Sequence, residues 1–186
     1  MTTRKKHVFT NLDYSSNDGM LTSVWGPSMW HFLHTMSFNY PVNPSNQDKI
    51  YYMDFIKKLE YILPCKHCRM NLKKNFKIHP ITSKTMENRL SFSKYIYELH
   101  EIINGMLHKK SNLSYEDVRE TYEHFRSRCT TQKTQKNHET GCIKPLHGEK
   151  SKCILRIVPN RVKTKSFHVD KKCFKRRLNT KRRKIV

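Results

Sequence analysis

The most reactive side chains in this sequence are two thiols three residues apart, Cys65 and Cys68, in the run Pro64-Cys65-Lys66-His67-Cys68. If the first thiol opens a helix, the free N–H groups and the dipole there stabilise a thiolate. Lys66, His67 and Arg69 add positive charge beside the pair. A thiolate is the attacking species of disulfide exchange, so this setting suits a redox pair. The same spacing is also half of a zinc site, which needs two further ligands. The nearest later cysteine is Cys129, and His67 and His79 stand at no characteristic spacing from the pair. From the pair alone, redox chemistry, zinc binding and neither all stay open.

A second group is aromatic and imidazole in character. Trp25, Trp30 and His34 lie within ten residues, and His100 and Asn104 lie four apart beside Leu99 and Ile103. That spacing places His100 and Asn104 on one helical face. Polar groups next to a core need partners. They can bond each other or the backbone, or the ring edges of a buried heteroaromatic ligand. Taken singly, each residue also suits an ordinary core.

These groups must be held by helices. Gly26 and Pro27 suit the first turn of a helix from Trp25, since Pro is tolerated there. Trp30, Leu33, His34 and Ser37 follow at helical spacing, and Pro41 and Pro44 end the element. Ser45 is a candidate N-cap for a helix whose apolar positions include Tyr52, Phe55, Ile56, Leu59 and Leu63. Pro64 interrupts it just before Cys65. A third helix is expected over about 66–77, and a fourth from near Glu87 with Phe92, Tyr95, Ile96, Leu99 and Ile103 along one stripe. Lys109 and Lys110 stand at its end, where cations favour the helix dipole. Ser114 caps a fifth through Val118, Tyr122 and Phe125. No strand alternation occurs between them, so the expected fold class is all-α, a compact bundle.

Composition sets the limits around this bundle. The chain has 186 residues, a length that suits one domain with extensions. Apolar residues make up 36% and concentrate between positions 20 and 125. Residues 126–186 hold 20 Lys/Arg against 3 Asp/Glu, which is +17 of the chain's +22. Such a segment cannot easily bury enough surface to offset the entropy of ordering it. No apolar run reaches the roughly 18 residues of a membrane span. The N-terminus is basic but lacks the apolar stretch of a secretory signal. A cytoplasmic location is therefore expected, with the nucleus as an alternative because of the basic tail. Structural disulfides are rare in both compartments, which again points the Cys-x-x-Cys towards redox or metal work. The expected organisation is a flexible segment over 1–22, a folded domain over 23–128 and a basic, cysteine-containing, mostly irregular tail over 129–186.

In combination the motifs carry more. Trp25-Gly26, Trp30, Leu33-His34 and Tyr40-Pro41, then a helix and Cys65-x-x-Cys68, then His100, Ile103-Asn104, Leu107 and Lys109, occur in that order. Over roughly residues 24–125 this resembles the Erv/ALR flavin-linked sulfhydryl oxidases, in particular the short forms of large cytoplasmic DNA viruses. The resemblance implies a four-helix bundle with a short fifth helix, FAD in its mouth, and a homodimer. It assigns Gly26, Trp30, His34, Cys68, His100, Asn104, Lys109 and Tyr122 to the cofactor, and no metal. It implies protein dithiols and O2 as the partners of the reaction. Substrate thiolate attacks Cys65, Cys68 lies next to the flavin, and oxygen leaves as hydrogen peroxide. In a virus the place of action is the virus factory or the virion. The sequence departs from the family pattern where His108 stands for a Gly and Glu101 for an Asn.

The tail adds Cys129, Cys142, Cys153 and Cys173. Cys142 with Cys153 is the expected pair, as a shuttle or a structural disulfide. His138, Cys142, His147 and Cys153 form a loose zinc alternative that fits no standard framework. The apolar run over 153–159 is expected as a short strand or a docked segment. The basic stretch suits non-specific contact with nucleic acid or acidic surfaces, because only Phe167 and Phe174 are present to stack on bases. Two other classes compete with the oxidase. One is a zinc-stabilised basic nucleic-acid-binding protein, and the other a helical interaction protein with incidental cysteines.

Overall fold

A computed structural model describes residues 9–130 and 141–175. Most of the helices begin where a polar side chain can satisfy free N–H groups; the exception is Thr22–Phe38, whose N-cap is Leu21. The third of them shows the rule: Ser45 Oγ accepts from the Asp48 N–H at 3.1 Å, and the Asp48 carboxylate accepts from the Ser45 N–H at 2.9 Å. This box opens the helix Asn46–Ile62. Asn88 does the same for Arg89–Met106 and Ser114 for Tyr115–Glu123. Each such cap contributes about 1 kcal/mol. In chain order the helices are α1 (Asn11–Tyr14), α2 (Thr22–Phe38), α3 (Asn46–Ile62), α4 (Lys66–Ile78), α5 (Arg89–Met106) and α6 (Tyr115–Glu123).

Helix α2 packs on α5, α3 packs on α4, and α6 lies against both α2 and α5. This is the expected four-helix bundle with a short fifth helix, α6. The apolar stripes meet in one core in which Tyr40, Ile56, Met86, Phe92 and Ile96 are fully buried. Tyr40 satisfies its buried hydroxyl by donating to the Met86 carbonyl at 3.0 Å, and its ring packs on Phe92 at 5.0 Å. Arg126 ties the end of α6 to α2. Its guanidinium donates to the Phe38 carbonyl at 2.7 Å and to both carboxylate oxygens of Glu123 at 2.6 Å. Among the described residues no helix is long and apolar enough to cross a membrane.

Three local features differ from the sequence expectation. Helix α2 starts at Thr22, so Pro27 sits inside it rather than in its first turn. The early start is held by tertiary bonds: the Met20 N–H donates to the Pro64 carbonyl at 2.8 Å, and the Trp25 indole N–H to the Met20 carbonyl at 3.1 Å. Helix α1 is a single turn, closed by the Thr10 N–H and hydroxyl donating to Asp13. His108 adopts φ 54°, the left-handed conformation that ends α5. The Lys109 N–H closes that turn onto the Asn104 carbonyl at 2.9 Å. A left-handed residue here favours Gly, and His is one of the residues that tolerates it.

The tail folds back on the bundle. Strands β1 (Ser127–Thr130) and β2 (Gly141–Pro145) pair antiparallel. Their register sets Cys129 opposite Cys142, and these two form a disulfide. The expected Cys142–Cys153 pairing is thereby corrected: Cys142 is already taken by its cross-strand neighbour, and Cys153 is an exposed free thiol. The run over 153–159 is neither a strand nor docked, since Ile154, Leu155 and Ile157 are 75%, 74% and 73% exposed. Phe167 instead reaches the bundle and packs against His31 at 5.1 Å, while the Lys175 N–H donates to His124 Nδ1 at 3.0 Å. The basic stretch beyond residue 175 and His138 lie outside the described residues.

Candidate active site

Pro64 breaks the path from α3, and Cys65 takes the N-cap of α4 in extended conformation. Its Sγ accepts from the Cys68 N–H at 3.2 Å, so the first cysteine sits where a helix N-terminus stabilises negative charge. Cys65 and Cys68 are joined as a disulfide with Cα atoms 5.2 Å apart. Among the described residues no group of three or more His, Cys, Asp or Glu is arranged to hold a metal ion. Arg69 does not face the sulfurs as a free charge; its guanidinium donates to the Leu63 carbonyl and braces the turn before Cys65. Both cysteines are half-buried.

From Cys68 a row of residues leads along α2. Thr22, Gly26, Trp30 and His34 recur every fourth residue, so they form one ridge about 18 Å long at 1.5 Å per residue. Gly26 is buried, and a Cβ there would meet only Thr22 Cγ2, at 3.7 Å. Trp30 stacks on His100 of α5 with ring centroids 3.9 Å apart and planes 7° from parallel. His34 Nε2 and His100 Nδ1 share a hydrogen bond of 3.0 Å. Tyr122 of α6 closes the group, 5.3 Å from the His34 ring, with its hydroxyl 3.3 Å from His31 Nδ1.

Burial sets the protonation of this group. It pushes His34 down to about 3, with the neighbouring His100 and His31 adding to the effect. It also pushes His100 down to about 4. Both imidazoles are therefore neutral near pH 7, and act as hydrogen-bonding groups rather than cations. His34 Nδ1 is buried and has no hydrogen-bond partner. An orphaned buried ring nitrogen beside a tryptophan suits a heteroaromatic ligand with a polar edge, which is the chemistry of a flavin nucleotide.

The structure thus brings Trp30, His34, His100 and Tyr122 into contact, with Gly26 on the same ridge and Cys68 at its end. Asn104 and Lys109 lie further towards the C-terminal end of α5. The Asn104 amide donates to Glu101 at 2.9 Å, so the Glu that departs from the family pattern holds the neighbouring Asn. Lys109 lines an open cleft of about 500 Å³ with Glu101 and Lys110. Sequence reasoning missed Thr22, whose hydroxyl stands 3.6 Å from Cys68 Sγ, and His31, which meets Tyr122. The four-residue spacing back from Gly26 was the available signal for Thr22.

An all-helical bundle with a disulfide at the head of one helix, and a histidine-tryptophan seam leading from it, defines a thiol–disulfide redox protein. The Erv1 / Alr family model matches residues 27–126, and the chain belongs to that family. It is 32% identical over 104 residues to the probable FAD-linked sulfhydryl oxidase R368 of Acanthamoeba polyphaga mimivirus, covering 56% of this chain and 72% of that protein. It is 27% identical over 90 residues to the putative FAD-linked sulfhydryl oxidase 347L of Invertebrate iridescent virus 6, covering 46% and 81%. Its fold is that of the crystal structure of the yeast Erv1 core, with a TM-score of 0.50, 22% identity, and coverage of 63% of this chain and 96% of that one.

Proposed function

We propose that this protein is an FAD-dependent thiol oxidase that forms disulfides in protein substrates. The observation that carries the reading is the Cys65–Cys68 disulfide at the head of α4, in a chain of the Erv1 / Alr family. A substrate thiolate attacks Cys65 Sγ. A bond forms between the two sulfurs, the Cys65–Cys68 bond breaks, and the electron pair leaves on Cys68. A second substrate thiol, losing its proton, attacks the substrate sulfur of the mixed disulfide and releases Cys65. The substrate is then oxidised by two electrons and the cysteine pair reduced by two. The Cys68 N–H that already bonds Cys65 Sγ stabilises Cys65 as it leaves.

Gly26, Trp30, His34, Cys68, His100, Asn104, Lys109 and Tyr122 are the residues we assign to FAD. Trp30 and Tyr122 supply ring faces, neutral His34 and His100 supply ring hydrogen bonds, and Lys109 supplies a positive charge for phosphate. The chemistry FAD supplies when bound is acceptance of the electron pair from the reduced cysteines and its delivery to O2, with hydrogen peroxide as product. The seam between α2 and α5 presents neutral, buried imidazoles to that pocket, and Lys109 stands away from it towards the C-terminal end of α5.

Further proposals concern the setting. We place the enzyme in the cytoplasm, in the virus factory or virion if the chain is viral, a reading supported by its viral relatives. The basic tail makes non-specific contact with nucleic acid or acidic surfaces, supported by its charge of +17. The homodimer expected for the family is part of the same proposal.

The test of the activity is oxygen consumption with an excess of a reduced dithiol. The expected result is one hydrogen peroxide formed for each dithiol lost, at a rate proportional to enzyme. Dithiol loss no faster than in buffer would contradict it.

A further inference from the structure

The segment before α2 makes a strap across the cysteine pair. Gly19 lies so close to it that an added Cβ would meet the Pro64 carbonyl oxygen at 3.0 Å and Cys65 Cα at 3.3 Å. The next residue, Met20, donates its N–H to that same Pro64 carbonyl at 2.8 Å. The Trp25 indole fastens the strap from the other side by donating to the Met20 carbonyl at 3.1 Å. These three contacts deliver Thr22 to the second cysteine, with its hydroxyl 3.6 Å from Cys68 Sγ. A disulfide sulfur carries no proton, so the hydroxyl is the donor.

Each sulfur therefore has one donor of its own. Cys65 has the Cys68 backbone N–H, and Cys68 has Thr22. A donor on one sulfur of a disulfide stabilises the charge that sulfur carries away, and the better leaving thiolate leaves faster. Without Thr22, the helix N-terminus would favour Cys65 as the leaving sulfur.

We propose that Thr22 is a positioning residue for the exchange step: its hydroxyl, held by the Gly19–Thr22 strap, makes Cys68 the sulfur that leaves when a thiolate opens the disulfide at Cys65. The inference rests on the thiol-oxidase reading and adds a residue to it. The bond formed is substrate sulfur to Cys65, the bond broken is Cys65 to Cys68, and the electron pair rests on Cys68 beneath the Thr22 hydroxyl. The ionisable residues beside the pair in sequence are Lys66, His67 and Arg69 on α4, and Asp18 precedes the strap. They are common to the variants below and cancel in the comparison.

The test uses the full-length protein with Cys65→Ala, so that Cys68 is the lone thiol of the pair, and follows its alkylation rate against pH by peptide mapping. A hydrogen bond to a thiolate favours the charged form, so Thr22→Val is expected to move the Cys68 profile to higher pH, with about three- to tenfold less thiolate at a given pH below the midpoint. Thr22→Ser restores the profile. Gly19→Val, whose Cβ meets the Pro64 carbonyl oxygen at 3.0 Å and so crowds the strap, is expected to shift the profile in the same direction as Thr22→Val with the Thr22 hydroxyl still present. Superimposed profiles for Thr22→Val and its parent would overturn the proposal. If the profiles move as expected but the wild-type protein oxidises no dithiol, the contact stands and the exchange role assigned to Thr22 falls with the oxidase reading.

Discussion

Replacing either Cys65 or Cys68 by Ala lowers dithiol-dependent oxygen consumption by about a thousandfold or more, and the double variant falls little further. The two sulfurs are halves of one disulfide, so neither can take an electron pair from a substrate once the other is gone. Residues that act as a unit give such non-additive losses. Cys129 and Cys142 do not rescue the variants: they are joined to each other on a hairpin, and neither caps a helix of the bundle. Single variants that keep most of their turnover would mean that electrons enter by another route. Thermal unfolding of the variants separates this loss from a folding defect. Cys65 also caps α4, and removing a cap costs about 1 kcal/mol.

The second large effect is loss of stability in mild acid. His34 has its folded pKa lowered to about 3 and His100 to about 4, against 6.5 for an exposed imidazole. As pH falls below 6.5 the unfolded chain takes up protons that the folded seam refuses. Stability is therefore fully present above 6.5 and declines as pH falls towards the folded values. At pH 5 the loss is about 2 kcal/mol for each proton refused, or about 4–8 °C in Tm per proton for a chain of this size. His31 and His124, also lowered chiefly by burial, act in the same direction. The paired carboxylates Asp48, Asp117 and Glu123 are held below their ordinary values, so their contribution is lost only at lower pH. The window from pH 7 to 5 thus reports the histidines. A Tm that is flat across it would show that the seam accepts protons freely.

Much of this architecture is legible in the residues themselves. Ser45 and Ser114 announce their helices because a capping box is a local device, complete within four residues. The stripe from Phe92 to Ile103 announces α5 because burial on one face needs only helical periodicity. Cys65 and Cys68 announce the redox pair because their spacing and the preceding Pro are local too. What was not legible depends on distant partners. The start of α2 at Thr22 overrides the preference of Pro27 for a first turn because Met20 is bonded to Pro64, more than forty residues away. The pairing of Cys129 with Cys142 follows from a hairpin register that no spacing rule contains. His108 read as a departure from the family, yet the backbone there is left-handed as a glycine's would be. Thr22 belongs to no motif in the sequence, and only the strap places it on Cys68.

The measurement that bears most directly on the thiol-oxidase account is the visible absorption spectrum of the purified protein beside those of Cys65→Ala and Cys68→Ala. A flavin band is expected in all three, and a long-wavelength charge-transfer band is expected to appear when Cys65 alone is removed. A folded, colourless protein carrying stoichiometric zinc would contradict it.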